Sequence, residues 1–176
     1  MTYFDFYNIP ISFKVDAAAL KHTFYANSKQ YHPDFFTMHS AEKQAEILEL
    51  STMNTQAYKT LSNFDARMKY ILDLKGVMAE EGKNQIPQDF LMEMMDINEA
   101  LMELEFDFDE MAYQKTLKEV ENIENQLLAE MQPLIENYEN TEGGNATLEV
   151  LKKYYLKKRY LLRIRENLSK FAALLK

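Results

Sequence analysis

Residues 27–40 read NSKQYHPDFFTMHS and lie between two stretches with a helical pattern of apolar residues. Because a proline disfavours the α conformation of the residue before it, Pro33 should end the first helix near Tyr31, ahead of His32. Ser40 is well suited to cap the start of the second helix with its hydroxyl. The stretch therefore predicts a polar loop that joins two antiparallel helices.

The helices on either side of this loop are marked by caps and apolar stripes. Asp16 can cap the first helix, whose stripe consists of Ala17, Leu20, Phe24 and Tyr31. The stripe of the second helix consists of Ile47, Leu50, Asn54, Ala57, Tyr58 and Leu61. A short third helix is expected over residues 64–75, with Met68, Ile71 and Leu72 on one face and Gly76 as its stop. Residues 1–75 thus predict one helical domain, in which two antiparallel helices are joined by a polar loop and flanked by a short helix at each end.

Glycine and proline are scarce, with 4 of each among 176 residues, where average usage would give roughly twenty in total. Sandwiches and barrels need these residues at their many tight turns, so β folds are unlikely candidates and an all-α protein is predicted. The hydrophobic content of 47% is sufficient for a packed core.

The remainder of the chain predicts a three-helix bundle over residues 87–176, after a linker over residues 76–86 that contains two glycines. Pro87 suits the first turn of a new helix. The first apolar stripe consists of Phe90, Met94, Ile97, Leu101 and Leu104. The second consists of Tyr113, Leu117, Val120, Leu127, Met131, Leu134 and Tyr138, with a kink expected at Pro133. The third follows a break at Gly143 and Gly144 and consists of Tyr154, Leu161, Leu168 and Leu175.

The chain contains no cysteine, which excludes disulfides, zinc sites with cysteine ligands, thiol catalysis and cysteine-held iron–sulfur clusters. The first ten residues lack the basic region of a signal peptide. No apolar run approaches the roughly 20 residues that a membrane-spanning helix needs. These features predict a cytoplasmic protein without a membrane segment.

Charge is distributed unevenly along the chain. Residues 76–150 hold 3 basic and 19 acidic side chains, whereas residues 151–176 hold 9 basic and 1 acidic. The sequence LKKYYLKKRYLLRIR, residues 151–165, could by itself be a nucleic-acid-binding helix or a membrane-surface helix. Its cations are spread around most of the helix, however, and the acidic segment upstream would repel phosphates. We favour an intramolecular pairing of acidic and basic helices and expect no nucleic-acid partner.

The tripeptide His32-Pro33-Asp34 in the loop is the strongest local signal. It could be simple helix punctuation, in which proline stops one helix and aspartate starts the next turn. A chance occurrence is rare, on the order of one in several thousand positions. Proline fixes the backbone, the imidazole offers a hydrogen bond, and the carboxylate suits a partner arginine. A rigid polar loop of this kind is typical of a docking site.

This tripeptide between two antiparallel helices, the first ending in Lys29-Gln30-Tyr31, resembles the J-domain of DnaJ-type co-chaperones. Support comes from MNTQAYKTLSNFDARMKYIL, residues 53–72, with J-domain-like positions at Asn54, Ala57, Tyr58, Leu61, Arg67 and Tyr70. The segments YFDFYNIP, residues 3–10, and FLMEMMDINEALMEL, residues 90–104, resemble more specifically the HscB family, which joins a J-domain to a C-terminal three-helix bundle.

The resemblance to HscB implies a co-chaperone of iron–sulfur cluster assembly, with no cofactor of its own. It implies that His32, Pro33 and Asp34, with the cations Lys21 and Lys29, dock an HscA- or DnaK-type chaperone and stimulate its ATPase. Two departures from the family pattern are the sparse basic face of the first helix and Phe35, where relatives often have lysine. Chaperone docking is therefore expected to be weaker or differently tuned.

The first bundle helix has a second apolar face, which continues into carboxylates on the side opposite its stripe. The members of this face are Leu91, Met92, Met95, Asp96, Glu99 and Glu103, all within about 140° on a helical wheel. A third helix could cover it, or it could be an exposed patch for a partner. The resemblance implies the second, with an IscU-type scaffold as the partner and Tyr155 of the last helix as part of the site. Tyr155 is expected on a stripe with Leu151 and Leu162, away from Tyr154.

Enzymatic function is not expected. His32 and Asp34 could be imagined as an acid–base pair, but no nucleophile elbow, phosphate-binding loop or H-E-x-x-H motif accompanies them. The three histidines show no metal-ligand spacing, so no metal site is predicted. The alternatives left by the sequence are a helical protein-binding module that acts without a chaperone and a nucleic-acid binder that uses the basic helix.

Overall fold

A computed structural model describes residues 1–80, 82–138 and 145–175. These residues contain helices, turns and loops but no β-strand, which confirms the predicted all-α class. The chain divides into two compact units, residues 1–75 and residues 76–176. Each unit has its own apolar core, and they are described in turn.

The first unit consists of four α-helices and one 3₁₀ turn. In chain order they are α1 Tyr3–Phe6, α2 Ala17–Gln30, the 3₁₀ turn Pro33–Phe36, α3 Ala41–Ser62 and α4 Phe64–Leu74. The Asp16 carboxylate accepts hydrogen bonds from the first turn of α2, and the Ser40 hydroxyl accepts one from the Lys43 amide. Gly76 follows α4 with a φ of +68°, a conformation that glycine adopts at little cost. The predicted caps and the predicted ends of these helices are therefore confirmed.

A buried polar group ties α1, α2 and α3 together. The Asn54 amide nitrogen donates to the Phe24 carbonyl and to the Ser28 hydroxyl, both at 3.0 Å. The Tyr7 hydroxyl donates to the Asn54 side-chain oxygen at 2.9 Å. Asn54 is almost completely buried, and these bonds satisfy the polar atoms of its side chain. One asparagine thereby fixes the positions of three helices around the core.

Arg67, a residue of α4, performs a similar role. Its guanidinium donates to the Phe13 carbonyl at 3.0 Å and to the Leu61 carbonyl at the end of α3. Burial lowers the pKa of Arg67 because the charged guanidinium loses water. The side chain therefore connects the segment before α2 with the turn between α3 and α4.

The second unit is a bundle of three long helical segments. Its elements are α5 Gln88–Glu93, α6 Met95–Phe106, α7 Glu110–Asn137, α8 Asn145–Phe171 and the 3₁₀ turn Ala172–Leu174. α5 and α6 meet at Met94, where the backbone hydrogen bonds of an α-helix continue. The Met94 amide donates to the Phe90 carbonyl, and the Asn98 amide donates to the Met94 carbonyl. They therefore serve as one bundle helix, and the predicted three-helix bundle is confirmed. Pro87 is the residue before α5, not part of its first turn.

The predicted apolar stripes match the core of this unit except at four residues: Leu117, Leu134 and Tyr138 are only partly buried, and Leu175 is exposed. Phe90, Met94, Ile97, Leu101 and Leu104 are all buried, as are most members of the other two stripes. On α7, Ile135 is buried and the predicted Leu134 is only partly so. A straight α-helix drifts by about 20° per heptad, so after three heptads from Tyr113 the core position moves on by one residue. The predicted Leu175 is exposed because α8 has ended at Phe171.

Three residues that the sequence marks as helix breaks come late in α7 or after it in the sequence: Pro133, Gly143 and Gly144. Gly143 and Gly144 lie outside the described residues. Pro133 lies inside α7, which continues to Asn137. The kink at Pro133 remains a prediction.

Polar contacts join the helices of the bundle. Arg165 on α8 forms an ion pair with Glu124 on α7, with its Nη2 atom 2.6 Å from Oε2. The Asn98 amide on α6 donates to the Tyr160 hydroxyl on α8 at 2.8 Å. The first of these contacts joins the acidic and basic parts of the chain, as the charge distribution predicts.

Candidate functional site

The tripeptide His32-Pro33-Asp34 forms a defined turn at the start of the connection between α2 and α3. His32 caps the 3₁₀ turn Pro33–Phe36, because its Nδ1 atom accepts a hydrogen bond from the Asp34 amide at 3.3 Å. The His32 carbonyl also accepts one from the Phe35 amide at 3.1 Å. The proline lies inside this turn, where its fixed φ is compatible with the 3₁₀ conformation. The local structure follows directly from these three residue types.

All three residues of this turn are exposed to solvent. The imidazole Nδ1 and the Asp34 carboxylate are 3.7 Å apart. With Nδ1 accepting the Asp34 amide hydrogen, a neutral His32 carries its proton on Nε2, which leaves that atom as a donor. The Asp34 carboxylate can accept two hydrogen bonds from an arginine. The turn can therefore present one donor and one charged acceptor to another protein.

The loop after this turn is attached to the start of α3. The Gln44 side-chain nitrogen donates to the Thr37 carbonyl at 3.2 Å and to the His39 carbonyl at 2.8 Å. These bonds give hydrogen-bond partners to two loop carbonyls that lie outside the hydrogen-bond pattern of α2 and α3. The sequence analysis did not identify Gln44, and a polar residue in the first turns of a helix gives little signal of such a contact.

The predicted cations Lys21 and Lys29 are both exposed on α2. They are eight residues apart, which places them within about 80° of each other on the helix. Lys29 lies in the last turn of α2, directly before the turn at Pro33. Two cations on one side of α2 can attract an acidic partner, although the basic face is sparse.

Two exposed apolar residues flank the same loop. Phe35 is in the 3₁₀ turn, with its ring centroid 5.5 Å from that of His32, and Met38 follows in the loop. Both side chains are largely accessible to solvent. The surface around the tripeptide is therefore partly apolar. A lysine at the position of Phe35 would make it more basic.

The predicted second face of the first bundle helix is exposed. Met92 and Met95 are 66% and 64% accessible, and Leu91 is also exposed. The possibility that a third bundle helix covers this face is therefore wrong. An uncovered group of Leu and Met side chains is typical of a surface that binds another protein.

Carboxylates continue this face along α6. Asp96, Glu99 and Glu103 are all exposed and line a groove beside the apolar residues. The same three residues also line a second groove, between α6 and α7, to which Glu119 contributes a further carboxylate and Lys115 a cation. The resulting surface combines apolar contact area with negative charge.

Tyr155 differs from its predicted position. Only 5% of the residue is accessible, and Leu151 on the same predicted stripe is fully buried. α8 packs against two other helices, so a wider sector of its surface is buried than one stripe, and that sector includes both Tyr154 and Tyr155. The predicted separation of this stripe from Tyr154 is therefore wrong for Tyr155 and Leu151, which share the core with Tyr154, whereas Leu162 is exposed.

Two residues of the exposed face on α6 were missed by the sequence analysis. Met102 and Phe106 are 71% and 94% accessible, and both line the groove beside Met95. On the wheel used for the second face they lie at about 20° and 60°, inside the sector already assigned to it. The helical spacing could therefore have identified them.

Other classes of site find little support in the described parts of the chain. Among the residues described, no group of three or more histidine, aspartate and glutamate side chains is arranged to hold a metal ion. Over those same ranges, each helix is too short or too polar to cross a membrane.

The chain resembles one family in three comparisons. The family model described as HSCB C-terminal oligomerisation domain matches residues 86–169. Two curated relatives, the co-chaperone protein HscB homologs of Psychromonas ingrahamii and Vibrio cholerae, are each 35% identical to the chain over 102 and 103 residues respectively. Each match covers 57% of this chain. The chain spans 60% of the length of the curated relatives that it matches.

Two solved structures share the fold over nearly the whole chain. The crystal structure of human co-chaperone protein HscB has a TM-score of 0.75 and 28% identity, and the match covers 99% of this chain and 84% of the human one. The chaperone HscB from Vibrio cholerae has a TM-score of 0.79 over 99% of this chain and 100% of that one, and its 24% identity supports the fold alone.

These matches follow the two features found in the residues themselves, the exposed tripeptide turn in a J-domain fold and the exposed face of the first bundle helix. The resemblance inferred from the motifs is confirmed: residues 86–169 match the HscB C-terminal family model, and the chain is similar to HscB co-chaperones in sequence and to HscB structures in fold.

Proposed function

We propose that this protein stimulates the ATPase of an HscA- or DnaK-type chaperone and delivers an IscU-type scaffold to it, so assisting iron–sulfur cluster maturation. The observation that carries the proposal is the exposed turn at His32-Pro33-Asp34, which a helix cap holds in one conformation. The protein itself needs no cofactor or metal for this role and acts on its partners by binding, in the cytoplasm.

The chaperone contact in this proposal is made by residues 1–75, the J-domain. His32 offers a donor, Asp34 accepts an arginine of the chaperone, and Pro33 keeps the two side chains in a fixed relation. Lys21 and Lys29 add attraction to an acidic chaperone surface. The exposure of all five side chains supports this assignment, because none has to leave a buried position to reach a partner.

The scaffold contact is made by the bundle, residues 87–176, which residues 76–86 link to the J-domain. Leu91, Met92 and Met95 provide the apolar part of the contact, and Asp96, Glu99 and Glu103 attract basic side chains of the scaffold. Their common exposure on one side of α5 and α6 supports this assignment. Because Tyr155 is buried, we propose that it contributes by supporting the bundle surface, with at most its edge in contact with the scaffold.

An ATPase assay with purified chaperone, with and without the scaffold, tests the chaperone half. We expect the protein to accelerate ATP hydrolysis, more so when the scaffold is present, and His32→Gln to abolish the acceleration. His39→Gln is the matched control, because it changes an exposed histidine of the same loop outside the turn. Full stimulation by His32→Gln would refute the proposed chaperone contact.

A binding titration with the scaffold tests the other half. The triple variant Leu91→Ala, Met92→Ala, Met95→Ala should lose most of its affinity while it keeps the helical circular dichroism of the wild type. A control triple variant, Met111→Ala, Leu128→Ala, Val150→Ala, removes exposed apolar side chains from α7 and α8 and should bind normally. Scaffold binding without any effect on a chaperone would instead identify a helical binding module that acts alone.

A further inference from the structure

The exposed apolar face on α6 extends beyond the residues assigned to the scaffold. After Met95 it continues with Met102 and Phe106, the last residue of the helix. The Phe106 side chain is almost completely accessible, although burial of an aromatic ring is strongly favourable. The face therefore covers the full length of α6 and is not confined to its start.

These residues form one continuous groove. Met95, Met102 and Phe106 line it together with Asp96, Glu99, Glu103 and Asp107, and its volume is about 840 Å³. From Met95 to Phe106 the helix rises by about 16 Å, which is three turns. A groove of this length can accommodate several side chains of a partner helix.

Apolar and acidic side chains alternate along the groove in a regular way. Met95 is followed by Asp96, Met102 by Glu103 and Phe106 by Asp107, and all six line the groove. Within the helix, neighbouring side chains are about 100° apart, so the carboxylates form a stripe beside the apolar one. Among the residues that the structure describes, none that lines the groove is basic. The chemistry that fits it is an apolar stripe with lysine or arginine along one edge.

We propose that the scaffold contact extends over this groove, with an apolar segment of the scaffold on Met102 and Phe106 and its basic edge on Glu103 and Asp107. The inference rests on the proposed scaffold-binding function and extends the contact along the helix from Glu103 to Asp107. Continuity supports it, because Met95, Asp96, Glu99 and Glu103 belong both to the groove and to the proposed scaffold surface. A second copy of this chain that met the groove with its own groove would present the same carboxylates and would be repelled.

Isothermal titration of the full-length protein with the purified scaffold tests this extension. The double variant Met102→Ser, Phe106→Ser should raise the Kd at least about fivefold, since both side chains would lose a buried contact. Met111→Ser is the matched control, because Met111 is 82% exposed at the start of α7 but does not line the groove. It should change the Kd by less than about twofold. Asp107→Asn should weaken binding and reduce the dependence of the Kd on salt.

The outcomes separate this inference from the proposed function. If the wild-type protein does not bind the scaffold, the proposed function is wrong and the extension is wrong with it. If the wild type binds and the double variant binds equally well, only the extension is wrong. The wild type could instead show a molecular mass that increases with protein concentration, with no such increase in the double variant. That result would show that the groove joins two copies of the chain, and it would also overturn the extension.

Discussion

Arg165 and Glu124 form a bidentate ion pair between α8 and α7. The Arg165 Nε atom lies 3.0 Å and 3.1 Å from the two carboxylate oxygens, and Nη2 lies 2.6 Å from Oε2. The hydrogen bond with Glu124 raises the pKa of Arg165, so the guanidinium stays charged throughout the usual pH range. Planar, two-point pairing of this kind is stronger than a single contact between exposed ions.

The first prediction concerns the stability of the bundle. Arg165→Met should reduce the free energy of unfolding by about 1 kcal/mol, since the pair is partly exposed and water screens it. Urea unfolding followed by circular dichroism measures this change. In a double-mutant cycle with Glu124→Gln, the two effects should not add. Arg163→Met, at an exposed position of the same helix, is the control. An equal loss of unfolding free energy in this variant would show that the ion pair is not the cause of the effect.

The second prediction concerns Asn54 in the first unit. Asn54→Ala should lower the free energy of unfolding by about 2 kcal/mol, because the Phe24 carbonyl and the Tyr7 and Ser28 hydroxyls each lose a partner in a buried place. Thr55→Ala is the matched control, since the exposed Thr55 hydroxyl bonds only within its own helix. A smaller loss for Asn54→Ala than for Thr55→Ala would contradict the proposed role of the network.

The third prediction concerns pH. Burial raises the pKa of Tyr7 from its ordinary value of 10.0 to about 12. As the pH rises, the Tyr7 hydroxyl therefore loses its proton in the unfolded chain before it does so in the folded protein. The contribution of the protonated Tyr7 to the free energy of unfolding is complete below pH 10 and disappears as the pH rises towards about 12. Urea titrations across this window should show falling stability, with a shallower fall for Tyr7→Phe. Tyr25→Phe, which changes an exposed tyrosine, should follow the wild type.

The fourth prediction concerns Phe35 beside the tripeptide turn. Phe35→Lys should tighten chaperone binding by about twofold to fivefold, because it adds a cation to a sparse basic face without removing a buried side chain. The gain should shrink at high salt. Met38→Lys adds the same charge to the loop outside the turn and should have less effect. Unchanged affinity of Phe35→Lys at low salt would mean that this position does not face the chaperone.

Much of the fold was predictable because local signals and packing agree. Asp16 and Ser40 cap the helices that they were expected to cap, and Pro33 ends α2 as its geometry requires. The stripe from Phe90 to Leu104 is buried throughout. These signals depend on neighbouring residues in the sequence, which a helix places in known relative positions.

The errors arose where burial depends on more than one partner. Tyr155 is buried because α8 packs against two helices, and its buried residues span about 220° of the helix. A single stripe cannot describe so wide a sector, and the sequence does not state how many neighbours a helix has. Met102 and Phe106 lie in the same sector of α6 as the predicted face, and helical spacing alone is sufficient to place them there.

The attachment of the loop by Gln44 affects the thermodynamics of any docking event at the tripeptide. A free loop would lose conformational entropy when a partner fixes it, and each side chain that becomes immobile costs about 0.5–1.5 kcal/mol. Here the Gln44 amide already holds the Thr37 and His39 carbonyls, and the His32 ring already holds the Asp34 amide. The loop is preorganised, so a partner meets a surface whose ordering cost was met when the chain folded.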